Sequence, residues 1–167
     1  MMSWFHPVVL LVSAVSSALV AGIFYAFSSF VMPALGRLPD ERGSDAMNAI
    51  NVAVYTPSFM VLFVGTALLS AVLTVWSLFS IGNLDSQLVL AGSLLYLVGC
   101  FGVTMRFNVP LNRQLAEIDA GGGNVSWRKF LREWTTWNTV RTFGAGLASA
   151  LFILALVLGY GPGETAA

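Results

Sequence analysis

Two short polar segments hold the residues of this chain that could do chemistry, because each sets an arginine and asparagines at the edge of a long apolar run. Their polar and aromatic members are Arg106, Asn108 and Asn112 in the first segment, and Trp134, Trp137, Asn138 and Arg141 in the second. Arginine stays charged and donates several hydrogen bonds, while asparagine both donates and accepts. Such groups are costly near hydrocarbon unless they are paired, hydrated or functional. Together they could hold an oxyanion or a polarised carbonyl oxygen.

The spacing within the segments indicates which side chains share a helix face. Trp134, Asn138 and Arg141 are four and three residues apart, and Asn108 and Asn112 are four apart. Side chains at these spacings lie on one side of a helix. We therefore predict that each segment presents its polar groups in one direction.

Pro110 lies between the two asparagines of the first segment and is predicted to disturb the helix there. A proline has no backbone N–H, so the carbonyl of Arg106 loses its helical partner. Opened backbone at membrane depth is tolerated where it lines a cavity or is buried in protein. A structural role is the alternative, in which the two arginines extend to lipid phosphates and the asparagines cap helix ends.

The composition and four long apolar blocks indicate an integral membrane protein. The 167 residues are 57% hydrophobic and 10% charged, and the mean hydropathy is +0.80. A helix needs about 20 apolar residues to cross a bilayer. We predict one all-α domain over residues 1–167, a four-transmembrane-helix antiparallel bundle whose spans lie approximately at residues 7–31, 55–79, 88–107 and 140–160.

A short amphipathic helix is predicted directly before the fourth span, over approximately residues 126–138. Ser126 can cap its N-terminus. Basic residues occupy its other faces, and its apolar stripe consists of Trp127, Phe130, Leu131 and Trp134. Such a helix is typical of the membrane interface, where tryptophans lie at headgroup depth.

The basic residues predict an orientation in a bacterial inner membrane. All eight lie in or beside the loops around residues 33–54 and 108–139, and the opposite side has none. Loops rich in lysine and arginine stay in the cytoplasm, so both long loops are predicted to be cytoplasmic and both termini outside. The same end receives Tyr25 and Ser28 from the first span and Asn51 before the second. A pocket is therefore predicted at the cytoplasmic end of the bundle.

The residue types of the spans argue against several classes of site and partner. Haem, di-iron and copper sites need His, Cys or carboxylate ligands, whereas the spans contain no Asp, Glu or central His and a single Cys100. No zinc pattern or hydrolase triad is evident. We therefore expect no metal and no other cofactor. The formal net charge is zero, which gives no reason to expect nucleic acid, so the predicted partners are the lipid bilayer and a hydrophobic small molecule.

Four motifs occur in order along nearly the whole chain. They are Gly22–Leu35 (GIFYAFSSFVMPAL), Met47–Asn51 (MNAIN), Asn108–Asn112 (NVPLN) and the pattern W-x-x-W-N-x-x-R-T at Trp134–Thr142. In this combination the sequence resembles the anthrone-oxygenase-like membrane protein family. The resemblance implies oxidation of a flat, acidic aromatic, such as a polyketide anthrone or a quinol, by O₂ without metal or flavin.

The resemblance also implies roles for the residues of the predicted site. The candidate catalytic residues, which would stabilise an oxyanion, are Arg106, Asn108, Asn138 and Arg141. The candidate substrate-binding residues, which would stack on or contact the rings, are Tyr25, Ser28, Asn51, Asn112, Trp134 and Trp137. Some relatives carry a histidine after the asparagine that corresponds to Asn138, and here Thr139 occupies that position. The sequence therefore offers no evident general base.

Two other functions fit the same sequence. The pocket could bind or transport a lipid, a quinone or another hydrophobic molecule without chemistry, because no base is evident. The chain could also be a small structural subunit that packs against a second copy or against other membrane proteins. Small residues four apart favour close helix packing in lipid, within or between chains, and they occur at Ala18 and Gly22, Gly144 and Ala148, and Gly146 and Ala150.

Overall fold

Helices make up the secondary structure of this chain in a computed structural model that describes residues 5–119 and 126–160, with no strand among them. The α-helices are α1 (Phe5–Ala26), α2 (Met32–Leu35), α3 (Asp40–Ala53), α4 (Pro57–Leu78), α5 (Leu84–Leu94), α6 (Val109–Asp119) and α7 (Trp127–Tyr160). A first, a second and a third π-helical segment lie at Phe27–Val31, Leu95–Gly102 and Thr104–Asn108. The predicted all-α fold is confirmed.

Four continuous helices are long and apolar enough to cross a membrane. In chain order, these first to fourth spans are His6–Leu35, Pro57–Leu78, Leu84–Glu117 and Trp127–Gly159. The shortest has 22 residues, and at about 1.5 Å per residue it exceeds the ~30 Å hydrocarbon core of a bilayer. The chain is therefore a multi-pass membrane protein with four spans, as its apolar blocks predict.

Residues 127–138 of the predicted amphipathic segment form the first part of α7, which continues through the fourth span without a break. Ser126 caps this helix, because its Oγ accepts a hydrogen bond from the backbone N–H of Lys129 at 3.3 Å. On its buried side, Trp127 packs in a hydrophobic cluster with Met47 of α3. The cluster fixes α3 against α7 at the polar end of the bundle.

Hydrogen bonds join neighbouring spans across an apolar core. The helix α7 packs most extensively on α1 and also contacts α5 and the second π-helical segment. The Ser149 hydroxyl of α7 donates to the Ala14 carbonyl of α1 at 2.8 Å. The Tyr96 hydroxyl of the third span donates to the Phe63 carbonyl of α4 at 3.0 Å. Because Ser149 and Tyr96 are buried, these bonds satisfy polar groups that have no access to water.

The first and third π-helical segments each come just before a proline. Pro33 follows the first segment by two residues, and Pro110 follows the third by two. In the third segment the Val109 N–H donates to the Thr104 carbonyl, five residues earlier. Proline lacks a donor and crowds the preceding turn, so a wider turn accommodates it. The span therefore stays helical through Pro110 but changes its pitch beside the predicted site.

Gly144 lets α7 approach the second π-helical segment closely. A Cβ atom at this position would lie 2.7 Å from the carbonyl carbon and 2.8 Å from the oxygen of Gly99. At Gly146, two residues further on, a Cβ would meet only the Cβ of Ala21, at 3.9 Å. The Gly144 position is thus a packing contact within the chain.

We expect Gly144→Ala to lower the free energy of unfolding by about 1–3 kcal/mol, because the added methyl group meets backbone that cannot move aside cheaply. Gly146→Ala is the matched control and should leave stability unchanged or raise it by up to about 1 kcal/mol, since alanine favours a helix. Unfolding in mixed micelles, followed by circular dichroism, measures both. Equal stability of the two variants would contradict this packing.

Candidate functional site

A buried arginine without a carboxylate partner is the centre of the polar end of the bundle. Only 6% of Arg141 is exposed. Its Nε donates to Asn138 Oδ1 at 2.9 Å, and its Nη1 donates to Thr104 Oγ1 at 3.3 Å. The guanidinium carbon lies 3.8 Å from the centre of the Phe24 ring and 4.9 Å from that of Trp134. Among the side chains that the structure describes, neutral groups alone hold this cation.

Asn138 orients the arginine and ties the first span to the fourth. The side chain is fully buried, and its Nδ2 donates to the Phe24 carbonyl and to Ser28 Oγ, both at 2.6 Å. The Ser28 and Thr139 hydroxyl oxygens are 2.9 Å apart. Because both amide N–H groups have acceptors, the Oδ1 atom is directed at Arg141 in a fixed position.

A pocket of about 340 Å³ lies beside Arg141, between the first span, α3, α4, the third span and α7. Its volume is at the lower end of the ~300–1,000 Å³ range of small-molecule sites, which suits one compact ring system. Half of its lining residues are aromatic or contain sulfur, including Phe24, Phe27, Phe59, Phe63, Phe101, Met47, Met60, Met105 and Trp134. The polar side chains of the lining are Asn51, Tyr55, Thr104, Asn112, Arg113 and Arg141. An apolar ligand with one polar or anionic group fits this surface.

Asn51 and Asn112 bring amides to the pocket from α3 and α6. The Asn51 Nδ2 atom is buried and has no hydrogen-bond partner among the described residues. The Asn112 Oδ1 atom accepts a hydrogen bond from Trp134 Nε1 at 2.7 Å. An unpartnered buried donor is costly, so Asn51 is available to a ligand oxygen, whereas Asn112 fixes the indole that stands over the arginine.

Asn108 lies behind the pocket rather than on its surface. It is 1% exposed, and its Nδ2 donates to the Trp134 carbonyl at 3.2 Å. Its Oδ1 has no partner among the described residues. Asn108 therefore joins the third span to the fourth. Ser28 and Asn138 are likewise outside the lining.

Three more of the residues proposed from the sequence, in addition to Asn108, Ser28 and Asn138, lie outside the pocket lining. Tyr25 is 63% exposed on the outside of the first span. Arg106 is exposed, with its guanidinium carbon 5.4 Å from the centre of the Phe107 ring. Trp137 stacks on the same Phe107 ring, with centroids 3.6 Å apart. Of the two arginines proposed as catalytic from the sequence, Arg141 lines the pocket and Arg106 does not.

Sequence reasoning overlooked Phe24 and Thr104, which both contact the arginine. Phe24, Phe27 and Ser28 are three and four residues apart, so they share one helix face, and Tyr25 belongs to another. That spacing was the available signal in the first span. Thr104 has no comparable signal, because its hydroxyl bonds to the Cys100 carbonyl at 2.8 Å as a helical threonine ordinarily does.

The pocket opens on the side of the helix bundle. Its lining includes Tyr55, Val64 and Met105, which are exposed. Val64 belongs to α4 and Met105 to the third π-helical segment. The opening therefore lies between the second and third spans, on a surface that faces lipid in a membrane.

Comparison with known proteins identifies one family. A family model described as anthrone oxygenase matches residues 59–151, more than half of the chain. The matched region extends from α4 into α7 and includes Arg106, Asn108, Asn138 and Arg141. No curated protein and no solved structure matches the chain.

We expect Asn138→Ala to lower the free energy of unfolding by about 2–3 kcal/mol, because it leaves the buried Arg141 Nε without an acceptor. The control is Asn83→Ala at the exposed N-cap of α5, whose side chain makes no capping hydrogen bond; its effect should stay below about 0.5 kcal/mol. Thermal unfolding in detergent, followed by tryptophan fluorescence, measures both. A stability of Asn138→Ala equal to that of the control would rule out the orienting role.

Proposed function

This chain belongs to the anthrone oxygenase family, and from that premise we propose that it is a membrane-embedded oxygenase that needs no cofactor. Its substrate would be an apolar, acidic aromatic of the anthrone or quinol type. The observation that carries the proposal is the buried Arg141 cation, which lines an aromatic pocket and has no carboxylate partner among the described residues.

Electrostatics support an anionic ligand in this pocket. Burying a charged group without an opposite charge beside it costs several kcal/mol, which is similar to the cost of placing an ion in the hydrocarbon core of a membrane. The hydrogen bonds of Arg141 to described residues use Nε and Nη1, which leaves Nη2 for a ligand. The free Nδ2 of Asn51 offers a second donor. An enolate oxygen between these donors would replace the missing negative charge.

The proposed reaction uses that anion. An anthrone loses a proton from its ring CH₂ group, and the charge moves to the carbonyl oxygen, where Arg141 stabilises it. The carbanion carbon then forms a bond to O₂, which is reduced to the peroxide level. The peroxide takes up a proton, and the resulting hydroperoxide loses its remaining C–H proton as its O–O bond breaks. This forms the quinone carbonyl and releases the outer oxygen as water, so one O₂ is consumed and one water released per quinone.

The residue types in the pocket lining limit how the protein could accelerate this reaction. Among the described residues, the side chains of the lining include no carboxylate and no histidine. The proposal therefore relies on stabilising the anion, with the proton passing to a water molecule inside the pocket. Phe24 and Trp134 flank the guanidinium, and with the other lining rings they supply flat apolar surface for the substrate.

We also propose a bacterial inner membrane location with both termini outside. The support is the position of all eight basic residues at the loops around residues 33–54 and 108–139, because such loops stay cytoplasmic. In this orientation the pocket opens to the inner leaflet of the bilayer.

A binding or transport protein is the second candidate, and the lack of a carboxylate or histidine in the lining favours it. In that case the pocket holds a quinone or a related hydrophobic molecule without changing it. Native mass spectrometry after mild detergent extraction separates the two, since a carrier retains an unaltered ligand and forms no product.

The oxygenase proposal predicts quinone formation by the purified protein in nanodiscs. With an emodin-type anthrone in air, the rate should exceed the spontaneous rate, with one O₂ consumed for each quinone, and without O₂ it should vanish. Absorbance and an oxygen electrode measure the two quantities. A rate no higher than that of empty nanodiscs would sink the proposal for this substrate.

The two arginines should differ in their effect on this reaction. We expect Arg141→Gln to lower kcat about 100–1,000-fold, as loss of one oxyanion donor does. Arg106→Gln should change kcat less than threefold, because Arg106 is exposed and does not line the pocket. Steady-state kinetics in nanodiscs give both values, and circular dichroism verifies folding. Equal losses would contradict the assignment of the pocket arginine.

A further inference from the structure

A second cavity, on the outside of the bundle, lies where α2 and the start of α7 meet. It has a volume of about 850 Å³ and a charged end with three arginines, Arg37, Arg128 and Arg132. We call it the arginine groove. It shares no lining residue with the pocket at Arg141, so an inference about it does not depend on the proposed oxygenase function.

The arginines of the groove lack opposite charges. Each is exposed, and none forms an ion pair with a described residue. One carboxylate, Asp40, also lines the groove, but it lies in the first turn of α3, where the helix dipole favours it. Three positive charges against one negative charge leave a surface that attracts anions.

The rest of the groove lies along the first and fourth spans and combines apolar side chains with three threonines, Thr135, Thr136 and Thr139. Its lining includes Met32 and Pro33 of the first span and Leu131 and Val140 of α7. Val140 is 41% exposed and lies in the hydrophobic part of the fourth span. A molecule that fills the groove therefore contacts guanidinium groups at one end, and apolar side chains and threonines along the rest of its length.

We propose that the arginine groove binds an anionic glycerophospholipid. Arg37, Arg128 and Arg132 hold its phosphate, and an acyl chain lies along Leu131 and Val140. Arg37 is two residues beyond the end of the first span, and Arg128 and Arg132 precede the apolar part of the fourth. This is the depth at which lipid phosphates lie, and basic sites between spans at that depth select anionic headgroups.

The test compares two double variants that each lose two positive charges. Arg37→Gln/Arg132→Gln removes two groove arginines. Arg42→Gln/Lys129→Gln removes two exposed cations that do not line the groove. Native mass spectrometry titrates the full-length chain with phosphatidylglycerol, with phosphatidylcholine of the same acyl chains, and with free glycerol phosphate.

The wild type should bind phosphatidylglycerol about tenfold or more tightly than phosphatidylcholine, since each basic residue contributes about fivefold. The groove variant should lose most of this preference, and the control variant should keep it within about threefold. The wild-type preference should also fall in about 1 M salt, where the Debye length is about 3 Å. This salt test uses the wild type alone, so it does not depend on whether a variant folds.

Three results would overturn the proposal. Equal affinity of the wild type for the two lipids would show that charge is not recognised. Equal losses in both double variants would show attraction to the whole basic face rather than a site. Binding of free glycerol phosphate as tight as that of the lipid would show a soluble-anion site without an acyl-chain contact.

Discussion

The contact between Arg141 and Asn138 sets the arrangement of the polar end of the bundle. A guanidinium group in a low-dielectric interior must be surrounded by acceptors and aromatic faces. Here the first span supplies the Phe24 ring, the third span supplies Thr104 and the fourth supplies Asn138 and Trp134. Three spans are therefore positioned around one side chain, which is the only buried charged residue among those whose side chains are described.

The backbone near this contact departs from the α-helix in a way that suits the site. Thr104 is both the acceptor for Arg141 and the first residue of the third π-helical segment. A π-helical turn rotates the side chains that follow it relative to an uninterrupted α-helix. The segment therefore lets Thr104 contact the arginine while Asn108 and Asn112, further along the span, bond to the Trp134 carbonyl and indole.

The sequence was sufficient for the fold and for part of the site. Long apolar blocks predict spans directly, because length is the main requirement of the bilayer. Helical spacing predicted that Trp134, Asn138 and Arg141 act from one face, and Arg141 does contact both of the others. The rotation of an apolar span about its own axis could not be predicted, because lipid-facing and protein-facing sides are similarly hydrophobic. For that reason Tyr25 was favoured over its buried neighbour Phe24, and the two arginines were not distinguished.

Because the pocket opens between the second and third spans, the concentration of an apolar ligand in the bilayer determines how much of the pocket is occupied. Such a molecule arrives from the bilayer, so its mole fraction among the lipids governs occupancy, and its concentration in water matters only through partitioning. Lipid chains at the opening near Val64 and Met105 compete for the same entrance. The apparent affinity for such a ligand therefore depends on the lipid composition and on the amount of membrane around the protein. Solvent composition affects binding at a water-filled site in the same way.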